Sequence, residues 1–368
     1  MNYSYWELKE WFTNIDFTIV GSGIVGLSCA LELKRKYPKA TVLILEKGML
    51  PQGASSKNAG FACFGSISEI IDDLSSHTEQ EVFNLVKKRW EGLQLLRKNL
   101  GDKNIDFQQN KGFELFNNAV SYKECLSKKK EINSLLKPIF KDAVFSTSAN
   151  MFGFNKIEPN YIVNNFEGQI DTGKMISKLL LKVQKAGVKI LNNSTLEHFE
   201  DTNSGVFLKT NNTEFTTKNL LIATNGFAKQ FIKEDVKPAR AQVLITKPIK
   251  NLQIKGTFHL DKGYYYFRNI DDRILFGGGR NLDFKAEETS EFGETTIIQN
   301  KLEKILKTTI LPNTNFEIEH RWSGIMGVGS QKKAIVKQLS NNVFCGVRLG
   351  GMGIAIGSLV GKELADLL

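Results

Sequence analysis

The stretch Asp16-Phe-Thr-Ile-Val-Gly21-Ser-Gly23-Ile-Val-Gly26-Leu-Ser-Cys-Ala-Leu-Glu-Leu33 carries an apolar run into three glycines spaced G-x-G-x-x-G and then into a helical pattern. The first glycine permits a tight turn, the second lets backbone approach a pyrophosphate, and the third lets the helix pack on the strand. Helix-start amides then face anions, which the helix dipole also favours. A glycine turn alone is weak evidence, but here the context is complete. A second apolar strand, Thr41-Val-Leu-Ile-Leu-Glu46, ends in a carboxylate about twenty residues after Gly26, where an acid accepts hydrogen bonds from a ribose. Strand, turn, helix and acid together imply a nucleotide-binding βαβ unit.

Beyond it, Glu79–Leu100 has the apolar stripe of a helix, and Asp171 reads as the N-cap of a helix over 174–187. Segments 188–191, 196–199, 205–209 and 220–223 read as strands separated by Asn/Gly/Thr turns, and 240–279 is again strand-rich. A glycine-rich turn then leads into a helix over 356–368. Strand–helix alternation near both ends with meanders between predicts an α/β (α+β) fold, a Rossmann-like nucleotide domain with an inserted β-rich domain.

The chain has 368 residues, enough for two domains, and its +10 net charge is lysine scattered along the surface, which argues against nucleic-acid binding. Cys29, Cys63, Cys125 and Cys345 form no metal-like pair, so a reduced cytoplasmic setting and no metal site are expected. The aromatic leader (Tyr3, Tyr5, Trp6, Trp11, Phe12) lacks the apolar core of a signal peptide. It reads as docking on the protein's own surface, with peripheral membrane contact as the alternative. No stretch is long and uncharged enough to span a bilayer.

NAD and FAD both suit the glycine turn; three later segments favour FAD. Gly53-Ala-Ser55-Ser56-Lys57-Asn58-Ala59-Gly60-Phe-Ala-Cys-Phe-Gly-Ser66 is a run of small residues that lets backbone pass close to a bulky ligand and supplies hydroxyl and amide donors. Leu220-Leu-Ile-Ala223-Thr224-Asn-Gly226 returns the chain to the nucleotide site. Val347-Arg348-Leu-Gly350-Gly351-Met352-Gly353 sets glycines before the last helix, whose start would favour negative charge on a reduced flavin.

The order G-S-G-I-V-G, L-E-K, A-S-S-K-N-A-G-F, A-T-N-G and G-G-M-G, with a late Arg321-Trp-Ser-Gly324, resembles the FAD-dependent D-amino-acid oxidase (DAO) superfamily, which includes glycine and sarcosine oxidases and D-amino-acid dehydrogenases. The resemblance runs from Asp16 to the C-terminus. It implies non-covalent FAD, a small amino-acid or amine substrate whose C–N bond loses hydride to flavin N5 to give a hydrolysable imine, and O₂ or a quinone as electron acceptor. It further implies a discontinuous FAD domain (1–75, 150–228, 335–368) and a substrate domain (76–149, 229–334).

Cofactor contacts are then expected from Gly21, Gly23, Ile24, Val25 and Gly26, from Glu46 and Lys47, and from Ser55 through Gly60. Leu196, Ala223, Thr224 and Gly226, with Gly350 through Gly353, complete the set. Tyr264 falls where such enzymes place a substrate tyrosine, Arg321 where they clamp a carboxylate, and Arg348 is a second anion contact or faces the flavin. The motif departs from its relatives in carrying Gln331-Lys-Lys-Ala334 where they have an acid and a proline. The dispersed histidines His77, His198, His259 and His320 read as structural. A 2-hydroxy-acid dehydrogenase on the same fold, or a flavin-binding protein without turnover, are the alternatives.

Overall fold

The computed structural model describes residues 2–368; Met1, the first residue of the leader, lies outside the described residues. Strand Ile15–Val20 occupies the middle of a parallel array, flanked by Glu214–Ile222 and by Val42–Leu45, with Val20 level with both Ile222 and Leu45. Lys189–Leu191 extends the array beyond Val42–Leu45, and Val343–Val347 extends it beyond Glu214–Ile222. Val42–Leu45, Val343–Val347, the 17–20 end of the first strand and the 220–222 end of Glu214–Ile222 are buried on both faces, which is why they read as short apolar runs. Helices Ile24–Lys36, Thr172–Lys185 and Gly353–Ala365 cover one face, joining Leu27, Leu33, Leu179 and Leu364 in one core.

The second sheet is almost wholly antiparallel, in the order Ile318–Val328, Lys237–Thr246, Arg273–Gly278, Tyr265–Ile270, Thr257–Leu260, Gly112–Leu115, Asn160–Asn164 and Phe145–Ala149. Its single parallel pair joins Thr257–Leu260 to Gly112–Leu115. Alternation gives each strand one face to bury. Phe113, Phe258, Phe267 and Phe276 fill the outer core beneath helix Thr296–Ile305, with the Phe258 and Phe267 rings stacked at 4.5 Å. Each such ring contributes roughly 1.5–3 kcal/mol by leaving water. The opposite face looks toward the parallel sheet.

Helix Glu79–Leu100 begins at a Thr78/Glu81 capping box and ends at Gly101, so its bounds follow its local chemistry. The division of the chain differs from the expected boundaries. Asn160–Asn164 pairs in the second sheet, and helix Glu79–Leu100 packs against Gly353–Ala365 on the first. Helix Ala119–Phe140 occupies a lysine-rich stretch that shows little apolar periodicity. In the leader, Phe12 packs on Phe215 with ring centroids 5.5 Å apart and Trp11 joins the neighbouring core, whereas Tyr5 and Trp6 are 67% and 68% exposed. Among the described residues no helix is long and apolar enough to cross a membrane.

Candidate active site

A single cleft of about 630 Å³ runs from the glycine turn, past the carboxyl ends of the parallel strands, to the inner face of the antiparallel sheet. Its size falls within the roughly 300–1,000 Å³ of ligand sites, and its place at the strand ends is where open α/β sheets bind ligands.

At the nucleotide end, Gly21 adopts φ +105°, and a Cβ there would lie 2.9 Å from the Ala223 carbonyl. Gly26 does not touch the cleft: a Cβ on it would meet the Gly21 carbonyl at 2.0 Å, so its role is close packing of helix on strand. Gly23, Ile24 and Val25 line the cleft, as do Ala223 and Thr224. First-turn amides of a helix lack intrahelical acceptors. The Ile24 amide donates to Ser55 Oγ at 3.0 Å, and Thr224 Oγ1 is buried without a protein partner.

Glu46, 5% exposed, also lines the cleft. Its carboxylate accepts from the Ser22 amide at 3.1 Å, from Ser22 Oγ at 2.6 Å and from the Gly48 amide at 3.0 Å. Lys47 beside it lies 3.6 Å from the Phe227 ring centroid, and burial pulls its pKa down. Leu196 closes the same end.

Midway, Ser55, Lys57, Asn58, Ala59 and Gly60 form one wall. Asn58 shapes that loop by bonding the Ser55 carbonyl at 2.8 Å and the Gly60 amide at 2.8 Å. Ser56 turns away and donates to the Pro51 carbonyl at 2.6 Å, and Gly226 is a packing position, where an added Cβ would lie 2.4 Å from the Met326 carbonyl. Opposite, Gly350, Gly351, Met352 and Gly353 line the cleft at the start of the last helix, and a Cβ on Gly350 or Gly351 would meet nothing within 4 Å. The open glycine backbones, two helix starts and the orphaned Thr224 hydroxyl together fit a dinucleotide as long as FAD.

At the far end Tyr264 and Tyr266 face the cleft while Tyr265 and Phe267 enter the core, as strand alternation requires. Tyr264 is 40% exposed and meets Phe284 edge-on at 5.9 Å. The two expected arginine contacts are displaced. Arg321 lies on the opposite face of its strand from Trp322, so its guanidinium meets Gln299 at 2.6 Å and Glu303 at 2.8 Å on helix Thr296–Ile305, outside the cleft. Arg348, at φ +64°, bonds the Lys333 carbonyl at 2.9 Å and Asp235 at 3.0 Å, and it too stays out.

The arginine that does line the cleft is Arg280, immediately after Gly277-Gly-Gly. It lies over the Phe284 ring at 4.7 Å and pairs with no carboxylate among the described residues, while burial lowers its pKa. Its one signal in the sequence was its position at the end of a glycine run. His259 is the other residue that spacing does not reveal, because its partner Glu167 lies 92 positions away. Cys63, 7% exposed, is a wall residue 3.9 Å from the Met352 sulfur. Among the described residues no group of three or more potential metal ligands occurs.

Residues 16–367 match the family described as DAO, FAD dependent oxidoreductase. Gamma-glutamylputrescine oxidoreductase of Escherichia coli is 22% identical over 96% of this chain and 83% of its own. Glycine oxidase from Geobacillus kaustophilus superposes with a TM-score of 0.74 at 18% identity, over 96% of this chain and 94% of that one. L-proline dehydrogenase from P. horikoshii gives 0.73 at 18% identity, over 96% and 93%.

Proposed function

The chain belongs to the DAO family of FAD-dependent oxidoreductases, and from that premise we propose that it oxidises the C–N bond of an amino acid or related amine. The observation that carries the reading is the continuity of the cleft, which joins the glycine turn to a face presenting Tyr264, Tyr266 and the unpaired Arg280. The similar proteins agree in kind, since their names specify an amine, glycine and proline as what they act on.

Bound FAD supplies the acceptor for the hydride leaving the substrate carbon, and the imine left behind hydrolyses in water. The remaining tasks fall to this chain. The Gly23 amide and Ser55, whose Oγ already meets the Ile24 amide, would hold the pyrophosphate, Glu46 the ribose, and the walls at Lys57–Gly60 and Gly350–Gly353 the ring system. Arg280 takes the substrate carboxylate, a role suited to a guanidinium that already lacks a counter-ion. Tyr264 and Tyr266 border the amine, and the semi-enclosed cleft restricts water around it. Positioning of this kind supplies most of what hydride transfer from a neutral amine requires.

The test is the visible spectrum of the purified FAD-loaded protein, followed anaerobically as amino acids, N-methylated amines and 2-hydroxy acids are added. Bleaching by an amino acid or amine, with release of ammonia or an amine, is the expected result. Bleaching by hydroxy acids alone, or by nothing in the panel, overturns the reading. Admitting air or a quinone afterwards identifies the electron acceptor.

A further inference from the structure

Behind the tyrosine face the protein buries an ion pair that holding FAD does not require. His259 Nε2 lies 2.6 Å from Glu167 Oε1, with the two residues 5% and 0% exposed. Thr257 Oγ1 donates to the same oxygen at 2.7 Å, and Glu167 Oε2 has no partner. A pair of this kind is weak evidence for stability, because desolvating both charges offsets their attraction. Its place suggests what it is for. His259 lines the cleft, while Glu167 sits behind it, so the positive end of the pair faces the substrate space. With Nε2 committed to Glu167, Nδ1 is left without a protein partner among the described residues.

The groups around the imidazole come from several elements. Glu114 lies level with it on the neighbouring strand Gly112–Leu115, and Tyr266 lies level with it on the other side. Glu69, from helix Ile67–Leu74, accepts from the Ser66 amide at 2.9 Å. Cys63 lies on the wall beyond Phe61, whose ring meets the imidazole edge-on at 5.4 Å. Burial raises the pKa of Glu114, Cys63 and Tyr266, the last to about 12, and so favours their neutral forms. Burial alone would lower the pKa of His259, but the charge and hydrogen bond of Glu167 outweigh it and hold the imidazole up at about 9.

Of the cations that line the cleft, Lys262 and Lys332 pair with Asp72 and Asp73, Lys47 and Lys57 lie over the Phe227 and Phe292 rings, and Arg280 and His259 stand at the antiparallel sheet. Arg280 follows Gly279, whose amide bonds the Tyr264 carbonyl at 2.9 Å; His259 stands opposite Tyr266, one strand further in. About two strand residues and two strand spacings separate these points, roughly 7 Å along and 10 Å across. One carboxylate does not bridge such a span, but the two carboxylates of one small molecule do. We propose that the substrate is an amino acid or secondary amine bearing two carboxylates, one on Arg280 and the other on His259, and that His259 selects for the second. This rests on the amino-acid reading of the site.

The experiment uses the FAD-loaded protein and titrates propionate, succinate and glutarate at pH 7, reading each from the perturbed visible spectrum. A dicarboxylate should bind about tenfold or more tightly than propionate, as expected for one added charge-assisted contact. His259→Gln should bring that ratio close to one, and Glu167→Gln, which spares the imidazole but removes its counter-ion, should lower it too. In the wild-type protein the ratio should also fall as pH rises through about 9. Flavin content reports whether each variant is folded. A wild-type ratio near one, or a ratio unchanged in both folded variants, overturns the proposal while leaving the amino-acid reading intact. Failure of every carboxylate to perturb the spectrum overturns both.

Discussion

The Trp322 indole Nε1–H donates to the backbone carbonyl of Lys57 at 2.9 Å, so a strand of the antiparallel sheet pins the small-residue loop that walls the cofactor cleft. The same strand brings Gly324 against that loop, 3.2 Å from Lys57 Cβ as judged by an added Cβ. Trp322→Phe keeps an aromatic ring but removes the donor together with the pyrrole half of the indole. One net hydrogen bond amounts to about 1 kcal/mol, so FAD affinity should fall about fivefold, read from flavin fluorescence during titration of the apoprotein. An unchanged affinity would mean that the loop holds its shape without the sheet.

Gly26 lacks room for a single methyl group, because its Cβ would lie 2.0 Å from the Gly21 carbonyl and 3.2 Å from Ile19. Gly26→Ala must therefore push the helix off the strand, at a cost of about 1–3 kcal/mol or more. The displaced helix start also takes the Gly23 and Ile24 amides out of place. Purified Gly26→Ala protein should hold little flavin and melt several degrees lower, and a variant with full flavin content would show that the helix end tolerates displacement.

Much of this site was legible in the chain because its determinants are local. The glycine turn and the Asp171 cap each sit within a few residues of what they act on, and Glu46 follows the turn at the spacing of a βαβ unit; Asp171 indeed accepts from the Lys174 amide at 2.8 Å. Helix Ala119–Phe140 was not legible, since only Cys125, Ile132, Leu136 and Phe140 of its residues are buried and a proline interrupts it. Arg321 was misplaced by motif position, although period-two alternation sets it on the face opposite Trp322 and Gly324. His259 carried no local signal of its partners: Glu114 and Glu167 arrive from distant segments, Glu114 through strand register and Glu167 through a side-chain contact.

Arg280 and Arg321 make a matched pair of tests. Arg280→Met should raise the KM of a carboxylate-bearing substrate roughly 10–100-fold, the range for losing a charge-assisted contact. Arg321→Met breaks a partly exposed pair with Glu303, the two side chains being 30% and 45% exposed. Exposed pairs contribute about 0–1 kcal/mol, so stability should drop slightly and KM stay put. The reverse pattern, with KM following Arg321, would return the carboxylate to the position expected from the motif.

The His259–Glu167 pair also predicts how stability depends on pH. The imidazole is held up from 6.5 to about 9 in the folded chain, so between those values the folded state keeps a proton that the unfolded state has released. Stability from this group is thus fully present below pH 6.5 and is lost as pH rises toward 9. A shift of this size corresponds to about 3 kcal/mol, most of it lost by pH 8.5. Cys63 and Tyr266 are also raised by burial, but their ordinary values of 9.0 and 10.0 keep them out of that window. Urea unfolding at fixed FAD concentration between pH 6.5 and 8.5 should therefore show a steady decline in the wild-type protein. Glu167→Gln removes the counter-ion that holds the proton, and its decline should be much flatter. Parallel slopes in the two proteins would mean that the imidazole is neutral in the fold and supplies no second cation beside Arg280.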